Sequence, residues 1–125
     1  MDIQNKKSIF VIEDSKEIRN LLVMVYSGEG YTVDCAINGR DALEKLQSMT
    51  ELPGLILLDL MMPVMNGAEF RSAQMQDPRL AQIPVNVMTA DSEVHEKSES
   101  MAVAGSLRKP FTIDTLLDVA VRYCH

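Results

Sequence analysis

Four consecutive apolar residues, Leu55 to Leu58, run straight into Asp59, with Pro53-Gly54 before them and Pro63 and Gly67 after. A short apolar run between turn residues is the pattern of a parallel strand covered on both faces. Such a strand needs helices above and below it, so the flanking segments must supply them. Sheets of this kind place ligand chemistry outside the carboxyl ends of their strands, which is where Asp59 falls.

The rest of the chain meets that requirement, because its hydrophobic period alternates between strand and helix, the mark of a β/α fold. Ser8 to Glu13 reads as a first strand, and Ile18, Leu21, Leu22 and Val25 then recur at helical spacing, with Asp14 or Ser15 as cap. Gly28 and Gly30 stop that helix, and Tyr31 to Ala36 forms a second strand. Asn38-Gly39 opens a helix that turns Ala42, Leu43 and Leu46 inward. Pro53-Gly54 precedes the third strand, and Asn66 with Glu69 resembles a capping box ahead of the third helix, which Asp77-Pro78 ends. Pro84 to Thr89 is the fourth strand. A polar, Ser-rich helix is expected over about residues 91 to 104, then a short strand from Ser106 to Arg108. The last helix buries Ile113, Leu116, Leu117, Ala120 and Cys124. Five strands and five helices in 125 residues make one domain spanning residues 1–125.

Composition removes several classes of function. A formal charge of −6 argues against a nucleic-acid surface, which needs clustered Lys and Arg. Cys35 and Cys124 have no metal or redox-motif spacing and read as reduced cytosolic thiols. The chain carries no signal peptide and no apolar run of membrane length.

Chemistry-bearing residues collect at strand ends: Glu13 and Asp14 after the first, Asp59 after the third, Thr89 after the fourth and Lys109 after the fifth. Gathered carboxylates repel one another and raise their own pKa values, and a hard divalent cation relieves this. Mg²⁺ suits a few carboxylates plus retained waters. Each residue has a blander reading: Glu13-Asp14 as a helix cap, Thr89 as a β-branched strand residue, Lys109 as a solvated side chain. Together they compose a phosphoryl-transfer site, which works by positioning and charge stabilisation.

Glu13-Asp14, the Asp59 segment through Met62-Pro63 and Gly67, Met88-Thr89-Ala90 and Lys109-Pro110-Phe111 resemble a response-regulator receiver domain of two-component signalling, over essentially the whole chain. The resemblance implies a flavodoxin-like, doubly wound α/β fold with five parallel strands in the order 2-1-3-4-5, flanked by five helices. It implies that Asp59 accepts a phosphoryl group from a histidine kinase or phosphotransfer protein. Asp14 and Asp59 would bind Mg²⁺ directly, Glu13 through water, and Met61 through its backbone carbonyl. Lys109 would pair with the aspartate and then the phosphoryl oxygens, Thr89 would hydrogen-bond the phosphoryl group, and Lys109-Pro110 would be cis. Such a domain is a cytoplasmic signalling phosphoacceptor rather than an enzyme, apart from slow autodephosphorylation. It signals by phosphorylation-dependent contact with a downstream protein, and phosphorylation-dependent dimerisation is open to it.

Receivers usually carry Tyr or Phe three positions before the lysine, and here that position is Ser106. This departure predicts ordinary phosphorylation chemistry with an unusual output face around the fourth helix and fifth strand. It also keeps a pseudo-receiver, which has the fold but is not switched by phosphorylation, as the alternative. A phosphatase of the haloacid-dehalogenase type would need a second Asp two residues after Asp59, where Met61 stands. An FMN protein of the same topology would meet repulsion from Glu13 and Asp14. With no segment after the last helix, the sequence predicts a stand-alone regulator or a piece excised from a longer one.

Overall fold

A computed structural model describes residues 4–60, 64–89 and 103–124. Five parallel strands form one sheet: β1 (Gln4–Ile12), β2 (Thr32–Ala36), β3 (Leu52–Asp59), β4 (Val85–Thr89) and β5 (Gly105–Arg108), in the order β2-β1-β3-β4-β5. Four helices are seen among the described residues: α1 (Lys16–Gly28), α2 (Gly39–Ser48), α3 (Gly67–Met75) and α4 (Ile113–Tyr123). The strand order is the expected one. The helix expected over residues 91–104 falls mostly on residues 90–102, outside those described.

Strand alternation splits the core in two. Phe10, Ile12, Ile56, Leu58, Val85 and Val87 face one side and meet Ala42, Leu46 and Phe70 from α2 and α3. Ile9, Val11, Leu55, Leu57, Met88 and Leu107 face the other and meet Leu22, Tyr26, Leu116 and Ala120 from α1 and α4. All eight residues of β3 are buried, as its uninterrupted apolar run requires. Removing these side chains from water, at about 1.5–3 kcal/mol for each fully buried large apolar group, is the main force holding helices to sheet.

Each helix starts where a side chain satisfies its free amides. Ser15 rather than Asp14 caps α1, its Oγ accepting from the Ile18 amide at 3.3 Å. Asn38 caps α2 through the Asp41 amide at 2.8 Å. Asn66 and Glu69 form the expected capping box at 2.9 and 3.1 Å, and Thr112 caps α4.

Three expectations need correction. Pro53 and Gly54 lie within β3, with Pro53 opposite Asn5 of β1. Pairing with β4 begins only at Ile56 opposite Val85, so the first residues of β3 border one strand, the edge position a proline tolerates. Ile113, the first residue of α4, is 60% exposed, and Leu21 of α1 is 40% exposed. On α1 the inward position belongs instead to Tyr26, whose apolar body is fully buried while its hydroxyl donates to the Leu116 carbonyl at 2.9 Å.

Candidate functional site

The order β1-β3-β4-β5 sets the carboxyl ends of four strands side by side, so residues scattered from 13 to 109 become neighbours. Ile12 lies opposite Leu58, Asp59 opposite Met88, and Thr89 opposite Arg108. The next residue on each strand therefore projects from the same edge. The Lys109 amide donates to the Thr89 carbonyl at 3.0 Å and the Leu60 amide to the Met88 carbonyl at 3.4 Å, which continues the ladders past the strand ends.

Asp59 is 3% exposed at the end of β3, Glu13 is buried just beyond β1, and Asp14 is exposed. One carboxylate oxygen from each of the three lies within 4.8 Å of the others. Lys109 reaches into this cluster: its Nζ is 2.7 Å from Glu13 Oε1 and 3.6 Å from Asp59 Oδ1. Burial pushes the Glu13 carboxyl above its ordinary range, the adjacent Asp59 adds to the rise, and Lys109 works against it. A buried carboxylate pair sharing one ammonium is an arrangement that binding of a hard divalent cation would stabilise.

Thr89, 2% exposed, closes β4 at the same edge. The Lys109–Pro110 bond is cis. The sequence-derived residues Glu13, Asp14, Asp59, Thr89 and Lys109 thus share one edge of the sheet. Met61 lies outside the described residues. Ser106 is exposed on β5 opposite Val87, and the segment expected beside it, residues 90–102, is also outside them.

Three features of the site escaped the sequence reading. Gly67 at the start of α3 packs so tightly that a Cβ there would lie 2.8 Å from the Asp59 carbonyl oxygen and 2.8 Å from Leu60 Cα. Arg19 of α1 turns back to donate to the carbonyls of Glu13 and Asp14 at 2.8 and 2.9 Å. Ile18, Leu21, Pro110 and Phe111 line a largely apolar hollow that Lys109 also borders. Helical period alone assigns Leu21 inward, and only the approach of the β5–α4 connection explains its place.

The family model described as the response regulator receiver domain matches residues 9–121. The chain belongs to this family. Receiver domains are signalling phosphoacceptors, and they bind Mg²⁺ at an acidic pocket. This receiver domain is 32% identical over 112 residues to the alkaline phosphatase synthesis transcriptional regulatory protein SphR of Synechococcus elongatus, covering 82% of this chain and 43% of that protein. It is 31% identical over 112 residues to the response regulator ArlR of Staphylococcus aureus, covering 87% and 48% respectively. The chain therefore spans less than half the length of these curated relatives. Among solved structures, the Vibrio cholerae chemotaxis protein CheY4 superposes with a TM-score of 0.84 at 30% identity, over 93% of this chain and 97% of that one. TrrA of Thermotoga maritima, solved in complex with Mg²⁺-BeF, superposes with a TM-score of 0.81 at 29% identity, again over 93% and 97%.

Proposed function

We propose that Asp59 of this receiver domain accepts a phosphoryl group from the phosphohistidine of a histidine kinase or phosphotransfer protein. The observation that carries this reading is the approach of the Lys109 ammonium to both Glu13 and Asp59 inside a cluster of three carboxylates. An Asp59 oxygen attacks phosphorus, the P–N bond to the donor imidazole breaks, and the imidazole leaves with the bonding electron pair and takes up a proton. Lys109 offers a fixed positive charge where negative charge collects on the phosphoryl oxygens, and Thr89 offers a hydroxyl at the same edge.

The donor set fits Mg²⁺: Asp14 and Asp59 as direct ligands, Glu13 through water and the Met61 carbonyl completing the protein's share. When bound, the ion neutralises carboxylate and phosphoryl charge together. Slow loss of the phosphoryl group to water then resets the domain.

The apolar hollow beside Lys109 supports docking of the donor's helix there, since the donor has to reach an almost fully buried carboxylate. A phosphoryl group adds nearly two negative charges and three acceptor oxygens, enough to draw Thr89 and Lys109 inward and shift the outer face. Moving such a switch from 1:99 to 99:1 takes about 5.5 kcal/mol, more than one hydroxyl contact supplies. The signal leaves by contact with a downstream protein or by phosphorylation-dependent dimerisation. Ser106 makes the output face differ from that of receivers with an aromatic residue there. The setting is cytoplasmic; no helix among the described residues is long and apolar enough to cross a membrane.

The direct test is intact mass spectrometry after incubation with acetyl phosphate and Mg²⁺. One phosphoryl adduct is expected, absent in Asp59→Asn and absent with a chelator. An adduct that survives Asp59→Asn, or none in the native protein, would overturn the assignment; the second result would favour the pseudo-receiver.

A further inference from the structure

β1 pairs last at Ile12, opposite both Leu58 and Ala36, and the Glu13 amide makes one more bond to the Ala36 carbonyl at 3.0 Å. Asp14 alone stands between that last sheet bond and Ser15, the cap of α1, so the acidic pair lies on the short connection where strand gives way to helix. Arg19 occupies the second turn of α1, and its Nη1 donates to the carbonyl oxygens of both Glu13 and Asp14. α1 is itself anchored, through Leu22 and Tyr26, to the core that packs against β1 and β3. The guanidinium thus ties the backbone carrying two of the three carboxylates to a rigid element, through the main chain rather than through the carboxylates.

We infer that Arg19 is a positioning residue for cation binding, holding the Glu13-Asp14 backbone so that both carboxylates meet Asp59 in the geometry the cation requires. This rests on the proposed Mg²⁺ site and goes beyond it, since Arg19 touches neither the ion nor the phosphoryl group. Positioning and bare electrostatics predict opposite signs. A positive charge near a cation site opposes binding, so removing it from a mere bystander would tighten Mg²⁺ binding. Removing a tether loosens the ligands and weakens it. Loss of outer partners of metal ligands generally lowers affinity by about 10- to 100-fold.

The test compares the native protein with Arg19→Met, which keeps the stem but has no donor, and with Arg19→Lys, which keeps the charge. Mg²⁺ affinity is read from amide shifts of Asp14 and Asp59, and hydrogen exchange of the amides of residues 13 to 15 is read in chelator. Arg19→Met is expected to bind Mg²⁺ about tenfold more weakly despite the lost charge, with faster exchange at those amides and partial recovery of both in Arg19→Lys. Unchanged or tighter binding in Arg19→Met would overturn the inference. If Arg19→Met does not fold, Arg19→Lys alone decides, by a weaker affinity or an unchanged one. If the native protein gives no saturable Mg²⁺ shifts, the site assignment falls instead. The tether is then judged on exchange in chelator: faster in the variants supports it, and equal rates overturn it.

Discussion

Two buried polar residues have local consequences that can be measured. Glu13 is held above its ordinary pKa by burial first and by Asp59 second. Between the ordinary and the raised value the folded state binds more protons than the unfolded chain. The Glu13 contribution to stability is therefore greatest at low pH and is lost as pH rises through the folded value. In chelator, the urea midpoint of the native protein should fall relative to that of Glu13→Gln as pH climbs through this window, and Mg²⁺ should offset the fall. Parallel profiles would mean that Glu13 is not the group responsible. Asn86 interrupts the apolar pattern of β4; it is 3% exposed, and among the described residues its Nδ2 has no hydrogen-bond partner. Its Oδ1 lies where a side chain on Gly105 would be, 2.6 Å from an ideal Cβ position. An unsatisfied buried polar group costs about 1–3 kcal/mol. Asn86→Val should accordingly raise stability by about 1–2 kcal/mol in urea titration, and a lower stability would show that the amide is satisfied by a buried water.

At the scale of elements, the edge of the sheet opposite the acidic site is tied by side chains rather than by regular structure. Gln74 of α3 is fully buried; its Nε2 donates to the Leu80 and Ile83 carbonyls at 2.8 and 3.2 Å, and its Oε1 accepts from Arg71 at 2.6 Å. Arg79 adds a bond to the Met49 carbonyl at the end of α2. The long α3–β4 connection is thereby held against the sheet without a helix or strand of its own. Gln74→Met keeps the volume but removes the side-chain donor to the Ile83 carbonyl and one of two donors to the Leu80 carbonyl, which keeps the Ile83 amide at 3.1 Å. It should cost about 1–2 kcal/mol by urea titration while leaving the proposed phosphorylation of Asp59 intact. A loss below 0.5 kcal/mol, to order of magnitude, would mean water replaces the amide. Asn38 and the Asn66–Glu69 box were legible beforehand because such caps are local signals, Ser15 was one of two candidates for α1, and Thr112 was not singled out. Leu21 and Ile113 were misplaced because helical period locates a stripe but not its edges, which depend on what packs alongside.

Across the whole molecule, the placement of Asp59 is tied to how closely α3 approaches the end of β3. Gly67→Ala would force a Cβ onto the backbone of Asp59 and Leu60, and backbone yields less readily than a flexible side chain. Overpacking of this kind costs about 1–3 kcal/mol. The variant should melt lower and take phosphate from acetyl phosphate more slowly, because Asp59 itself is displaced. An unchanged rate with lowered stability would show that the shift is absorbed by α3. By itself the sequence determined the alternation of strands and helices, the strand that delivers Asp59, and which residue types stand at strand ends, since hydrophobic period and turn chemistry are local. Only the tertiary structure decided that Lys109 reaches Glu13 more closely than Asp59, that Arg19 ties down the acidic connection, and that Tyr26 rather than Leu21 is buried. Those outcomes turn on ångström-scale distances between residues far apart in the chain, which are fixed when the sheet twists and the helices settle on it.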